Sequence, residues 1–173
     1  MKAVFTKRTP PGWVVFPVFA ALILTLSLIS IAVINLLNLP LFVMIPRFLA
    51  VLLGIFLLVA GFLLLFSSLK TLTLKRAFGR EMYKPGSECK LITTGIYAYT
   101  RNPIGFSSTI LFSGWFFIFE STFLLILTIL FIIFYCSYAK WEEKELTERF
   151  GEEYAEYKKT VPFFVPYPRK WFK

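Results

Sequence analysis

Between Trp13 and Leu37 the chain carries no charged side chain. A helix of about 25 residues, rising about 1.5 Å per residue, spans a hydrocarbon layer of about 30 Å. Inside such a layer backbone amides have no water to bond, so a lone segment of this kind must be helical. A cleavable leader is the alternative, but the run is too long and lacks a convincing cleavage site. Three further apolar runs follow, over 48–69, 104–119 and 123–138. The expected fold is therefore an all-α integral membrane protein with four transmembrane helices. The last two runs are short, about 16 residues or roughly 24 Å each, and are expected to tilt little or to thin the bilayer.

Composition agrees. The apolar fraction is 57%, the mean hydropathy +0.70, and 21 residues are phenylalanine, which is too apolar for a soluble domain of this length. The net charge of +9 does not point to nucleic acid, because the basic residues flank the apolar runs. With four spans, both termini and the 70–100 loop share one side, and of the 19 Lys and Arg residues only Arg47 falls on the other. The excess of positive charge predicts that termini and loop are cytoplasmic, in the cell membrane. Residues 70–103 and 139–173 would then form a cytoplasmic part.

The chain has no His and no Asp, which excludes histidine metal sites and His-based triads. Cys89 and Cys136 lie in a polar loop and an apolar run, so no disulfide framework is expected. Gly54 and Gly61 stand one heptad apart, a spacing that marks close helix packing. Lys84-Pro85-Gly86-Ser87 is a turn, and Ser121 or Thr122 can cap the helix after Glu120. Leu146, Phe150, Tyr154 and Tyr157 keep helical spacing, which predicts an amphipathic helix against the membrane or the loop, with Gly151 as its break. The proline-rich end from Val161 to Lys173 reads as an extended interfacial tail.

Two polar clusters flank the last apolar hairpin: Arg101-Asn102-Pro103 before it and Trp141-Glu142-Glu143 after it. Alone, the first is a snorkelling arginine, an asparagine cap and a helix-starting proline. The second alone is a solvated helix face, with Glu145–Arg149 and Lys144–Glu148 as i,i+4 pairs. If the hairpin folds back, both clusters meet at one membrane face. Gly105, Thr109 and Ser113 form a small-residue stripe on the intervening helix, read either as close packing or as a groove.

Leu91-x-x-x-Gly95-Ile96-Tyr97, Arg101-x-Pro103, Glu142-Glu143, Phe150-Gly151-x-x-Tyr154-x-x-Tyr157 and Val161-Pro162 together resemble the isoprenylcysteine carboxyl methyltransferase family. The wider group of that family includes membrane phospholipid methyltransferases. The resemblance runs from about Leu91 to Pro166. It implies S-adenosylmethionine bound at the cytoplasmic face by Leu91, the strand-like Gly95-x-Tyr97 stretch, Arg101, Asn102, Pro103, Glu142 and Glu143. Arg101 and Asn102 are then the residues at the point of transfer. The implied acceptor is lipid-borne or prenylated and enters from the bilayer.

The cofactor's carboxylate wants a guanidinium or a helix start, which Arg101 or Pro103 can supply. Its ammonium and hydroxyls want a carboxylate, from Glu142 or Glu143. The chain departs from the family pattern at Asn102, where His is usual, and at Gly105 and Ser107, where Tyr and Gly are common. A glycine at 105 is expected to leave space beside the site. With no His or Asp to take a proton, an acceptor that is already ionised, such as the carboxylate of an isoprenylcysteine-like substrate, is favoured over an amine. A phospholipid acceptor, a reductase-like relative using NADPH and a catalytically silent relative are the alternatives.

Overall fold

The computed structural model describes residues 45–72 and 91–166, together with residues 25, 28, 29 and 32, which are helical. The first expected span over 13–37, the loop around Lys84 and Cys89, and the tail from 167 onward lie outside the described residues. Among the described residues the protein is all-helical and has no strand. Helix α1 covers Arg47–Leu72, a short 3-10 helix Gly95–Ala98, α2 Pro103–Phe119, α3 Thr122–Phe150 and α4 Glu152–Thr160.

Helices α1 and α3 are each long and apolar enough to cross a membrane, and α2 is a shorter apolar helix. Phe56, Phe62, Phe66 and Ile133 are all exposed. Large apolar side chains outside the protein core need another apolar phase around them.

The α1–α2 contact is built on glycine. A Cβ at Gly54 would come within 2.6 Å of Ile118 Cγ1 and 2.9 Å of the Gly114 carbonyl oxygen. One at Gly61 would meet Leu111 at 2.9 Å. The heptad-spaced pair thus allows the two backbones to approach, as its spacing predicts.

At the far end of this pair α2 stops at Glu120, which takes a left-handed conformation, φ 49°. Ser121 then caps α3, its Oγ accepting from the Leu124 N–H at 3.4 Å. The Glu120 carboxylate is buried and meets Arg47 at 3.3 Å. The start of α1 is thereby tied to the α2–α3 turn, and the hairpin does fold back.

The fourth apolar run continues past Lys140 as one unbroken helix, α3, to Phe150, where Gly151, φ +54°, terminates it as expected. Two expectations change. The Gly95-x-Tyr97 stretch is a 3-10 turn and not strand-like. Tyr97 N–H bonds to the Thr94 carbonyl at 3.2 Å and Tyr99 N–H to that of Ile96 at 3.1 Å. Gly95, φ +59°, sits so close to α1 that a Cβ would lie 2.9 Å from Thr71 Oγ1.

The second change concerns Gly105. No space is left there, because a Cβ at 105 would fall inside the Tyr135 ring from α3. Within the small-residue stripe, Thr109 and Ser113 hydroxyls return to their own helix, to the carbonyls of Gly105 and Thr109, both at 2.9 Å.

Candidate active site

The two polar clusters meet at the end of the hairpin opposite Glu120. Arg101, between the 3-10 helix and α2, places its Nε 3.0 Å from Glu143 Oε1 on α3. Both side chains are 8% exposed, so each charge has lost most of its water and depends on the other. The pair lacks the linear geometry of a hydrogen bond and is held as an ion contact. Lys158 of α4 approaches the second Glu143 oxygen at 3.3 Å. Arg101 Nη1 donates to the Lys158 carbonyl at 3.1 Å, and the guanidinium stands 5.8 Å from the Phe163 ring centre.

Adjacent residues on a helix point about 100° apart, so Glu142 faces a different direction from Glu143. It belongs with Tyr135 and Tyr138, at i−7 and i−4 on the same face of α3. The Tyr135 ring lies 6.4 Å from that of Tyr138 and 6.2 Å from that of Phe164. Its hydroxyl is turned to the Gly105 N–H in the first turn of α2. The buried Tyr97 phenol adjoins the same carboxylate. Burial, and secondly the negative charge of Glu142, hold its ionisation well above the ordinary tyrosine range. Tyr154 is pushed the same way by burial and then by Glu143.

A segment of the C-terminal region closes over the start of α2. Arg101 N–H donates to the Pro162 carbonyl at 2.9 Å, Thr100 Oγ1 to that of Phe164 at 2.7 Å, and Asn102 Nδ2 to that of Phe163 at 2.9 Å. Tyr157 OH adds a bond of 2.7 Å to the Tyr97 carbonyl. Phe164 then packs edge-on against Phe106, ring centres 5.8 Å apart. The part of the expected tail that is described, 161–166, is thus docked through its own backbone.

The candidate residues therefore separate. Arg101, Asn102, Pro103, Tyr97, Glu142 and Glu143 are gathered at one end of the hairpin. Asn102 precedes α2 but makes no side-chain cap; its amide holds the C-terminal segment. Leu91 packs on the core of Tyr154, Tyr157 and Val161 with Leu146 and Phe150, so this face of α4 meets the chain before the 3-10 helix. Gly95 serves the contact with Thr71. Glu145, expected on a wet face, is 5% exposed.

Tyr135, Lys158 and Phe164 were not foreseen. For Tyr135 a usable sign existed: Tyr135, Tyr138 and Glu142 follow i, i+3, i+7 where the apolar run gives way to polar residues. For the docking of the 161–164 segment on residues 100–102 none did beyond the Val161-Pro162 pair in the family pattern, because the contact is made through backbone carbonyls.

Apolar helices faced with exposed phenylalanines, ending in a partly buried ionic and aromatic site, define an all-helical membrane protein with a polar site at one end of its hairpin. The model of the phospholipid methyltransferase family matches residues 49–153. The chain belongs to that family of membrane methyltransferases. No curated protein and no solved structure matches it.

Proposed function

We propose that the protein transfers a methyl group from S-adenosylmethionine to the carboxylate of a lipid-borne, isoprenylcysteine-like acceptor at the cytoplasmic end of the hairpin. In this reading α2 is a further membrane crossing beside α1 and α3. Termini and site then share the cytoplasmic side of the cell membrane, and residues 91–103 and 139–166 carry the cofactor-binding part. The observation that carries the proposal is the divergence of Glu142 and Glu143. One carboxylate is held by two cations. The other stands among Tyr97, Tyr135 and Tyr138, an acidic and aromatic surface suited to positive groups.

The residues fit the cofactor on that division. Glu142 and the rings face its sulfonium and ammonium. In the first turn of α2, Pro103 has no N–H and those of Gly105 and Phe106 meet Tyr135 and Asn102. The Arg101 guanidinium is therefore the group placed to meet the cofactor's carboxylate. When bound, S-adenosylmethionine supplies an electrophilic methyl on sulfur. This chain's part is to orient the reactants and exclude water, with Tyr135 and Phe164 as walls. A carboxylate acceptor needs no proton removed, which matches Glu143 held by Arg101 and Lys158 and a Tyr97 phenol that burial keeps protonated. Phospholipid methylation is the second reading; the family match favours it, and Glu142 would then receive the amine's proton.

The test gives purified protein labelled S-adenosylmethionine and either a prenylated cysteine or phosphatidylethanolamine. Methyl ester from the former is expected, at a rate nearly flat between about pH 6 and 8. Transfer to the phospholipid alone would replace the first reading by the second, and no binding of the cofactor would end both.

A further inference from the structure

Glu143 sits where three elements converge, beside the buried Tyr154 phenol. Its two oxygens meet Arg101 at 3.0 Å and Lys158 at 3.3 Å. Those two residues are also joined directly, Arg101 Nη1 donating to the Lys158 carbonyl. Three residues beyond Lys158 the 161–164 segment begins, and it returns to bond Thr100, Arg101 and Asn102. Lys158 and this segment lie beyond the 49–153 stretch that the family model matches.

We infer that Glu143 is a positioning residue that latches the 161–164 segment across the start of α2, through Arg101 and Lys158, and so sets where the Phe164 ring stands. The inference rests on the proposed transferase reading only for its consequence on the cofactor. The latch itself is a matter of contacts. Held down, the segment stacks Phe163 under the Arg101 guanidinium and brings Phe164 between Phe106 and Tyr135. Released, it would leave the first turn of α2 and the Tyr135 ring open to water.

A ligand role and a latch role for Glu143 make different demands on Lys158. If Glu143 bound the cofactor directly, Lys158 at 47% exposure would be a bystander. If Glu143 is the latch, loss of either partner frees the same segment, and losing both adds little.

The experiment is hydrogen exchange on the full chain in micelles, following the Arg101 amide that donates to Pro162. Glu143→Gln, Lys158→Met and the double variant are compared, with S-adenosylmethionine affinity measured in parallel. Each single variant is expected to speed exchange at Arg101 about tenfold or more, and to weaken the cofactor in step. The double variant should be no worse than the more severe single one. Glu143→Gln that abolishes cofactor binding while Arg101 stays protected would overturn the inference, as would Lys158→Met that leaves exchange unchanged. Should the wild type not bind S-adenosylmethionine, the transferase reading fails, yet the exchange arm still decides the latch.

Discussion

Replacing Gly105 by alanine tests the central contact of the site. Within a helix alanine is favoured over glycine by up to about 1 kcal/mol, less in a first turn such as that of Gly105, so an open position would be stabilised. Here the added Cβ would overlap three atoms of one edge of the Tyr135 ring. A shift of a few tenths of an ångström cannot absorb that, and the ring must leave. Tyr135 also touches Phe131, Tyr138 and Phe164, so its departure disturbs the whole aromatic wall. Overpacking of this kind costs about 1–3 kcal/mol, which outweighs the helix gain at all but its lower end.

Gly105→Ala should therefore lower the thermal midpoint of the purified protein. Gly105→Ala with Tyr135→Leu should regain part of what the two single changes lose together, because the smaller side chain clears the Cβ. Thermal unfolding of the four proteins of this cycle in one detergent gives the coupling. A Gly105→Ala protein as stable as the wild type, or single changes that simply add, would refute the contact.

Arg101→Ala leaves the buried Glu143 with the half-exposed Lys158 and the neutral Tyr154 phenol, and should cost about 3 kcal/mol or more of stability; Glu148→Ala, on an exposed face, should stay within about 0.5 kcal/mol, and equal losses would contradict the buried pair. Alkaline titration follows from the raised Tyr97. The unfolded chain releases this proton near pH 10 and the folded protein does not, so stability is full below about pH 10 and falls as pH rises beyond it. Midpoints measured from pH 8 to 11 should show that decline, and Tyr97→Phe should lessen it. Orientation is checked by cysteine labelling in intact cells: a cysteine at position 47 should react from outside and one at Lys84 should not, and the reverse would end the charge-based topology.

What the sequence determined by itself is whatever depends on local partition between water and hydrocarbon. The apolar runs over 48–69 and 104–119 lie within one residue or a few of α1 and α2, because charge and proline mark their ends. Ser121 as a cap and Gly151 as a break are backbone chemistry of a few neighbouring residues. That Gly54 and Gly61 mark a close helix contact was legible from their spacing, whereas α2 as the partner was not. The meeting of the 101–103 and 141–143 clusters needed only that a short apolar hairpin return to the side it left.

The tertiary structure alone decided which side chains face which. Glu142 and Glu143 are indistinguishable as letters, and the rotational phase of α3 sends one to Arg101 and the other to Tyr97. Gly105 as an open space or a filled one turned on Tyr135, thirty positions away along the chain. Asn102 looked like a helix cap, but the carbonyl of Phe163 takes its amide. Such choices rest on contacts between segments far apart in the chain, made through backbone carbonyls that every residue carries, and no residue type announces them.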